Sequence, residues 1–96
     1  MAWRIDFTKA ADKALRKLDR PTAGRVLDEL EEIAKLDDPR SRGKALTGNL
    51  AGLWRYRVGD YRVVCDIEDG VLVILVVDVA HRREEEGVTV TGRAML

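Results

Sequence analysis

Three arginines flank a Gly-Asp pair in the stretch Leu53-Trp54-Arg55-Tyr56-Arg57-Val58-Gly59-Asp60-Tyr61-Arg62-Val63-Val64. Guanidinium groups are planar, permanently charged forks, and their geometry matches a phosphate held through two parallel hydrogen bonds. Two alternating runs around a two-residue Gly-Asp loop predict a β-hairpin, in which opposed residues share a face. With Gly59-Asp60 as the loop, Val58 lies opposite Tyr61, Arg57 opposite Arg62, Tyr56 opposite Val63, Arg55 opposite Val64 and Trp54 opposite Cys65. One face then carries only aromatic, β-branched and cysteine side chains, and the other carries Arg55, Arg57 and Arg62. Like charges directly across a strand pair cost roughly 0.2–1 kcal/mol, so the Arg57–Arg62 pair points to an anion bound there. The competing explanation is a solvated face whose arginines fan apart or pair with Asp66 and with Glu side chains elsewhere.

The other candidates for chemistry are few. The run Ala80-His81-Arg82-Arg83 follows a long apolar segment, and Arg42 and Lys44 lead into the arginine hairpin. With one His and one Cys, no zinc spacing exists, and no glycine-rich loop has nucleotide-binding spacing. No metal and no cofactor are expected. Cys65 falls on the apolar hairpin face, so it reads as a small buried hydrophobe rather than a nucleophile. What remains is a site built of cations. A phosphodiester attacked by its own 2′-hydroxyl needs positioning, stabilisation of charge at the phosphorane and a proton carrier. Arginine supplies the second, and His81 is a candidate for the third; a histidine that simply ends a strand is the alternative.

These residues need a scaffold to position them. Trp3-Arg4-Ile5-Asp6-Phe7 alternates as a short strand does, and Thr8 offers an N-cap to a helix from Lys9 to Leu18. Asp19-Arg20-Pro21 ends that helix and starts a second, marked by Ala23, Val26, Leu27, Leu30, Ile33 and Ala34 and stopped by Asp37-Asp38-Pro39. Arg40 to Gly52 reads as a polar loop without elements of its own. After the hairpin, Glu68-Asp69-Gly70 predicts a turn and Val71–Val79 the central strand, covered on both sides, with the N-terminal strand as its other neighbour. The expected fold is α+β: a small, mainly antiparallel twisted sheet, an N-terminal strand plus a three-stranded meander, packed against an N-terminal helical hairpin. One domain is expected over residues 1–84, followed by a C-terminal tail at 85–96 whose order the sequence does not fix.

The 96 residues carry 17 basic and 17 acidic side chains, yet the charge is unevenly placed. Asp28 to Asp38 holds six acids against Lys35, and Arg40 to Val64 holds six bases against Asp60. Such a split favours a local anion-binding surface, while a neutral whole disfavours tight unassisted binding to nucleic acid. No long apolar run and no signal-peptide pattern occur, so a cytoplasmic protein with no membrane partner is expected.

The segments Lys44-Ala45-Leu46-Thr47-Gly48, Trp54 to Val63 and Val77-Asp78-Val79-Ala80-His81-Arg82-Arg83-Glu84 resemble the RelE branch of the RelE/ParE toxin superfamily. The opening strand and the helical hairpin with Asp38-Pro39-Arg40 are similar too. The resemblance implies the toxin half of a bacterial type II toxin–antitoxin pair, a cognate antitoxin as partner, and metal-free cleavage of mRNA on the ribosome through 2′-hydroxyl attack. It implies that Arg57 and Arg62 hold the scissile phosphate, that Arg82 assists charge neutralisation or leaving-group protonation, and that Lys44, Arg55 and Arg83 bind substrate. One departure stands out: family members usually carry a Tyr shortly after this His-Arg-Arg, whereas Glu85-Glu86-Gly87 stands there and no Tyr follows Tyr61. Three consequences are open at the level of sequence. Glu86 or His81 carries the proton, the toxin is weak or silent, or the chain acts as a ParE-like gyrase inhibitor.

Overall fold

The computed structural model describes residues 3–81. Arg82, Arg83 and the tail expected at 85–96 lie outside them. Strand β1 (Arg4–Phe7) leads into helix α1 (Lys9–Arg16) through Thr8, whose hydroxyl oxygen accepts the Ala11 N–H at 3.1 Å. The same hydroxyl donates to the Val77 carbonyl at 3.3 Å, which ties the helix start to the sheet. Helix α2 (Arg20–Ala34) is capped by Asp19, whose carboxylate accepts the Thr22 N–H at 3.2 Å, and Pro21 occupies its first turn, where the missing donor is harmless. Val26, Leu30 and Ile33 recur at helical spacing and are at most 1% exposed. Burying each contributes about 1.5–3 kcal/mol.

Both helices lie on one face of a five-stranded sheet of order β1-β5-β4-β3-β2, where β2 is Lys44–Ala45, β3 Trp54–Val58, β4 Tyr61–Glu68 and β5 Val73–His81. The hairpin forms in the expected register, from Trp54↔Cys65 to Val58↔Tyr61. Its loop begins at Gly59 with φ +59°, the sign that the first position of a type II′ turn requires. β1 runs parallel to β5, and every other pairing is antiparallel. The helix-facing side buries Tyr56, Val63, Cys65, Ile67, Ile74 and Val76 together with the apolar stripe of α2.

Four details differ from the expected fold. The supposed loop from Arg40 to Gly52 contains β2, a fifth strand only two residues long, and 3-10 turns at Pro39–Ser41 and Gly48–Leu50. Lys44 and Ala45 both leave their side chains exposed, so no hydrophobic alternation announces that strand. With β2 added, β4 takes the central place, while β5 still has β1 as its other neighbour. The last strand starts at Val73 rather than Val71, because Asp69–Val71 forms a 3-10 turn closed by Leu72 in the left-handed region at φ +55°.

The fourth difference is a β-bulge. Val64 pairs with Asp78 but Cys65 pairs with Val76, so Val77 is an extra residue on β5. Ile74 and Val76 face the helices; beyond the bulge the parity reverses and Val79 faces them. The first half of β5 is therefore buried on both faces, with Val73 3% and Ile74 0% exposed, whereas Asp78 in its second half is exposed.

An added Cβ at Gly59 would meet nothing within 4 Å, so Gly59→Ala isolates backbone strain. Urea denaturation is expected to show a loss of about 1–2 kcal/mol, and an unchanged stability would mean that the loop does not depend on its left-handed residue.

Candidate functional site

The register decides which charged side chains meet. Arg57 lies directly opposite Arg62, Arg55 opposite Val64, and Lys44 opposite Arg55. All four cations therefore share the sheet face turned away from both helices. Neighbouring strands are spaced about 4.8 Å apart and alternate residues along a strand about 7 Å, so the four Cα positions form a staggered block across three strands, Lys44 beside Arg55 and, two residues further along β3, Arg57 beside Arg62. No salt bridge joins Arg55, Arg57 or Lys44 to a carboxylate among the described residues. Arg57 and Lys44 are exposed, and Arg55 and Arg62 half-buried.

His81 is not part of this block. The bulge at Val77 reverses the parity of β5, so His81 pairs with Tyr61 on the helix-facing side. The two rings meet edge to face, 5.1 Å between centroids with their planes at 87°. Strict alternation from Val76 would have put His81 beside the arginines, which is why its expected place is corrected. The same reversal turns Asp78, which strict alternation would bury with Ile74 and Val76, onto the cation face, where its carboxylate accepts the Val79 N–H at 2.9 Å. A carboxylate in the middle of an apolar run, at core parity, is the sequence signal that could have revealed the bulge. Arg82 and Arg83 lie outside the described residues.

The edge of the block is built by the segment sequence alone leaves as a loop. The Tyr56 hydroxyl donates to the Pro39 carbonyl at 2.8 Å, and the Trp54 indole N–H donates to the Arg42 carbonyl at 2.6 Å. Burial pushes the Tyr56 hydroxyl well above the ordinary phenol range, with the neighbouring Cys65 adding to the shift. Gly43, at φ +78°, lets this backbone touch β3: an added Cβ would collide with the Arg55 carbonyl oxygen and stand 2.8 Å from Trp54 Nε1. Arg40 holds the segment from the other side, with both terminal nitrogens on Asp69 at 2.9 Å and one also on the Ile67 carbonyl at 3.3 Å.

Cys65 is fully buried, and burial alone pushes its thiol up to about 12. It packs as the small hydrophobe expected and offers no thiolate near neutral pH. Among the described residues, no three His, Cys, Asp or Glu side chains gather where a metal ion could be held. No helix among them is long and apolar enough to cross a membrane.

Comparison with known proteins matches residues 5–86 to the family described as ParE toxin of type II toxin-antitoxin system. Toxin RelE of Mycobacterium tuberculosis is 32% identical over 80 residues, spanning 83% of this chain and 81% of its own length. Among solved structures, the toxin–antitoxin complex RelBE2 of Mycobacterium tuberculosis matches with a TM-score of 0.77 at 27% identity, covering 84% of this chain and 92% of that one. The RelE–RelB complex of Pyrococcus horikoshii matches with a TM-score of 0.67 at 29% identity, covering 85% and 97%. Two helices on a mostly antiparallel sheet are thus shared with these proteins, and this chain belongs to the RelE/ParE family, the toxins of type II toxin–antitoxin systems.

The Arg40–Asp69 clamp gives a pH-dependent outcome. Hydrogen bonding from Arg40 holds the Asp69 carboxyl below its ordinary value of 3.8. A depressed folded-state value stabilises the fold above the unfolded value and is lost as pH falls through the folded one. Asp69→Asn is expected to lower the thermal midpoint at pH 7, with the gap to the parent chain closing below pH 3.8. A gap that persists in acid would show that the clamp does not act through ionisation.

Proposed function

We propose that this toxin is a metal-free endoribonuclease that cleaves mRNA on the ribosome. The observation that carries this reading is the block of Lys44, Arg55, Arg57 and Arg62 on one sheet face, with Arg57 and Arg62 directly opposed. Opposed guanidiniums reach their lowest energy with an anion between them, and a phosphate offers the paired acceptors that they fit. In the proposed reaction the 2′-hydroxyl loses its proton and attacks the adjacent phosphorus. The bond to the 5′-oxygen breaks, that oxygen takes up a proton, and a 2′,3′-cyclic phosphate remains.

Arg57 and Arg62 hold the non-bridging oxygens and the charge that grows on them in the phosphorane. Arg82 assists neutralisation of the leaving oxygen, and Lys44, Arg55 and Arg83 hold flanking phosphates. The zero net charge of the chain fits an enzyme whose substrate is presented by the ribosome, where few of its own cations need contribute affinity. A cytoplasmic site of action follows from that substrate.

A second reading is a non-enzymatic toxin that inhibits gyrase or only binds its antitoxin. It is favoured by the match to the ParE toxin family and by the lack of a tyrosine after Tyr61. Mapping 5′ ends of transcripts in a translating extract separates the two. Codon-positioned cuts are expected with the parent chain, and Arg57→Ala or Arg62→Ala should slow them by about 10²-fold or more, the usual effect of removing one preorganised donor from a charged transition state. Intact mRNA with normal translation would reject the nuclease.

Two of the solved relatives that share the fold, RelBE2 of Mycobacterium tuberculosis and RelE–RelB of Pyrococcus horikoshii, are toxin–antitoxin complexes. The basic block and the exposed helical hairpin suit an acidic, amphipathic segment that folds on binding. Co-expression with the product of the neighbouring open reading frame should yield a stable hetero-oligomer by size-exclusion chromatography, and recovery of the free monomer alone would count against a cognate antitoxin.

A further inference from the structure

One cationic side chain adjoins the proposed RNA-binding block without belonging to it. β2 covers β3 only at Trp54 and Arg55. Beyond that point a cleft of about 430 Å³ opens along the β3 edge, lined by Arg42, Lys44, Arg55 and Arg57 with Glu29 as its one carboxylate. Lys44, Arg55 and Arg57 belong to both the cleft and the block, so the two are continuous. Arg42 and Glu29 face each other across the cleft, with Arg42 Nη1 at 3.2 Å from Glu29 Oε2.

The two ends of Arg42 are held very differently. Its backbone is pinned, because the Trp54 indole holds its carbonyl at 2.6 Å and Gly43 beside it has no room for a side chain. Among the described residues its guanidinium makes one hydrogen bond, to one oxygen of a half-exposed glutamate, and pairs of that kind are weak. A backbone phosphodiester offers two non-bridging oxygens that share its charge, and a guanidinium fork binds it through two bonds where Glu29 gives one.

We propose that this cleft is a second phosphate subsite for single-stranded RNA, in which Arg42 leaves Glu29 to bind a phosphate flanking the scissile one. Glu29 acts as the occupant that the phosphate displaces, so it sets how much affinity the subsite yields. An RNA strand lying on Arg57 and Arg62 reaches this cleft by crossing the β3 edge, which β2 is too short to block. This inference rests on the nuclease reading for its ligand, and it concerns binding where that reading concerns cleavage.

The test uses a labelled single-stranded RNA oligonucleotide with 2′-O-methyl groups throughout its length, which cannot be cut by its own 2′-hydroxyls, and fluorescence anisotropy at low salt with the full chain. Arg42→Ala is expected to weaken binding and Glu29→Gln to tighten it, each by about threefold to tenfold. The double variant should behave like Arg42→Ala, because Glu29 acts only through Arg42. The slope of log K against log salt should fall by about 0.7 in Arg42→Ala, the release of one counterion from a single strand. Thermal unfolding of each variant confirms a folded chain, and the opposite signs of the two substitutions separate a displaced carboxylate from general damage.

Equal binding by all four proteins overturns the subsite, even where the parent chain cleaves mRNA. Binding shifts as expected with intact mRNA in the translating extract would support the subsite and reject the nuclease. Variants that change the affinity for poly-glutamate and leave the RNA unaffected would overturn the proposal in favour of an acidic peptide at this cleft.

Discussion

The basic face exists because the other side of the same two strands is buried. Tyr56 is 2% exposed and Val63 and Cys65 are fully enclosed, and Arg55 and Arg57 flank Tyr56 as Arg62 precedes Val63. A slip of one residue would carry every apolar side chain into water and drive Arg55, Arg57 and Arg62 into the core, where an unpaired charge is far more costly than anything gained. The repulsion between Arg57 and Arg62, roughly 0.2–1 kcal/mol, is small beside the burial that enforces their pairing. Hydrophobic burial thus holds like charges together, and the charges need no partner of their own to stay in place.

That constraint is also why the hairpin was legible. Its register follows from alternation and from a Gly-Asp loop, both local, and all five residue pairs form as those features dictate. The helices were legible for the same reason: the caps Thr8 and Asp19 and the apolar stripe from Val26 to Ile33 lie within a turn or two of what they stabilise. His81 was not legible, because its face depends on a bulge within β5 that shows only in the pairing with β4. Parity along β5 cannot be counted past Val77 without knowing that β4 skips a residue there. The bulge has physical support in the Thr8 hydroxyl, which donates to the Val77 carbonyl, and in Asp78, which escapes the core. The Thr8–Val77 bond joins residues nearly seventy positions apart.

The segment from Pro39 to Ala45 was hidden for a different reason. Its structure comes from backbone groups that side chains of β3 reach across to hold: the Pro39 carbonyl by Tyr56, the Arg42 carbonyl by Trp54. Nothing in a polar stretch with exposed side chains announces such partners, because the pattern that specifies it sits on another element. Gly43 was its one local sign, a glycine whose missing Cβ permits contact with the Arg55 carbonyl. Through that contact the register of β3 passes to Lys44, which joins the cation block although its own strand has only two residues.

A chain of zero net charge can still present a strongly basic surface, provided that its acids lie elsewhere. Most of the acidic side chains between Asp28 and Asp38 lie on or beyond α2, whose helix packs on the face of the sheet opposite the arginines. At physiological ionic strength fields decay over about 8 Å, so these acids screen little of what a phosphate meets at Arg57 and Arg62. Glu29 is the exception, because its contact with Arg42 brings it to the β3 edge where the two regions meet. Charge on this molecule therefore acts locally, over about one screening length, and the sum over the sequence says little about what either face can bind.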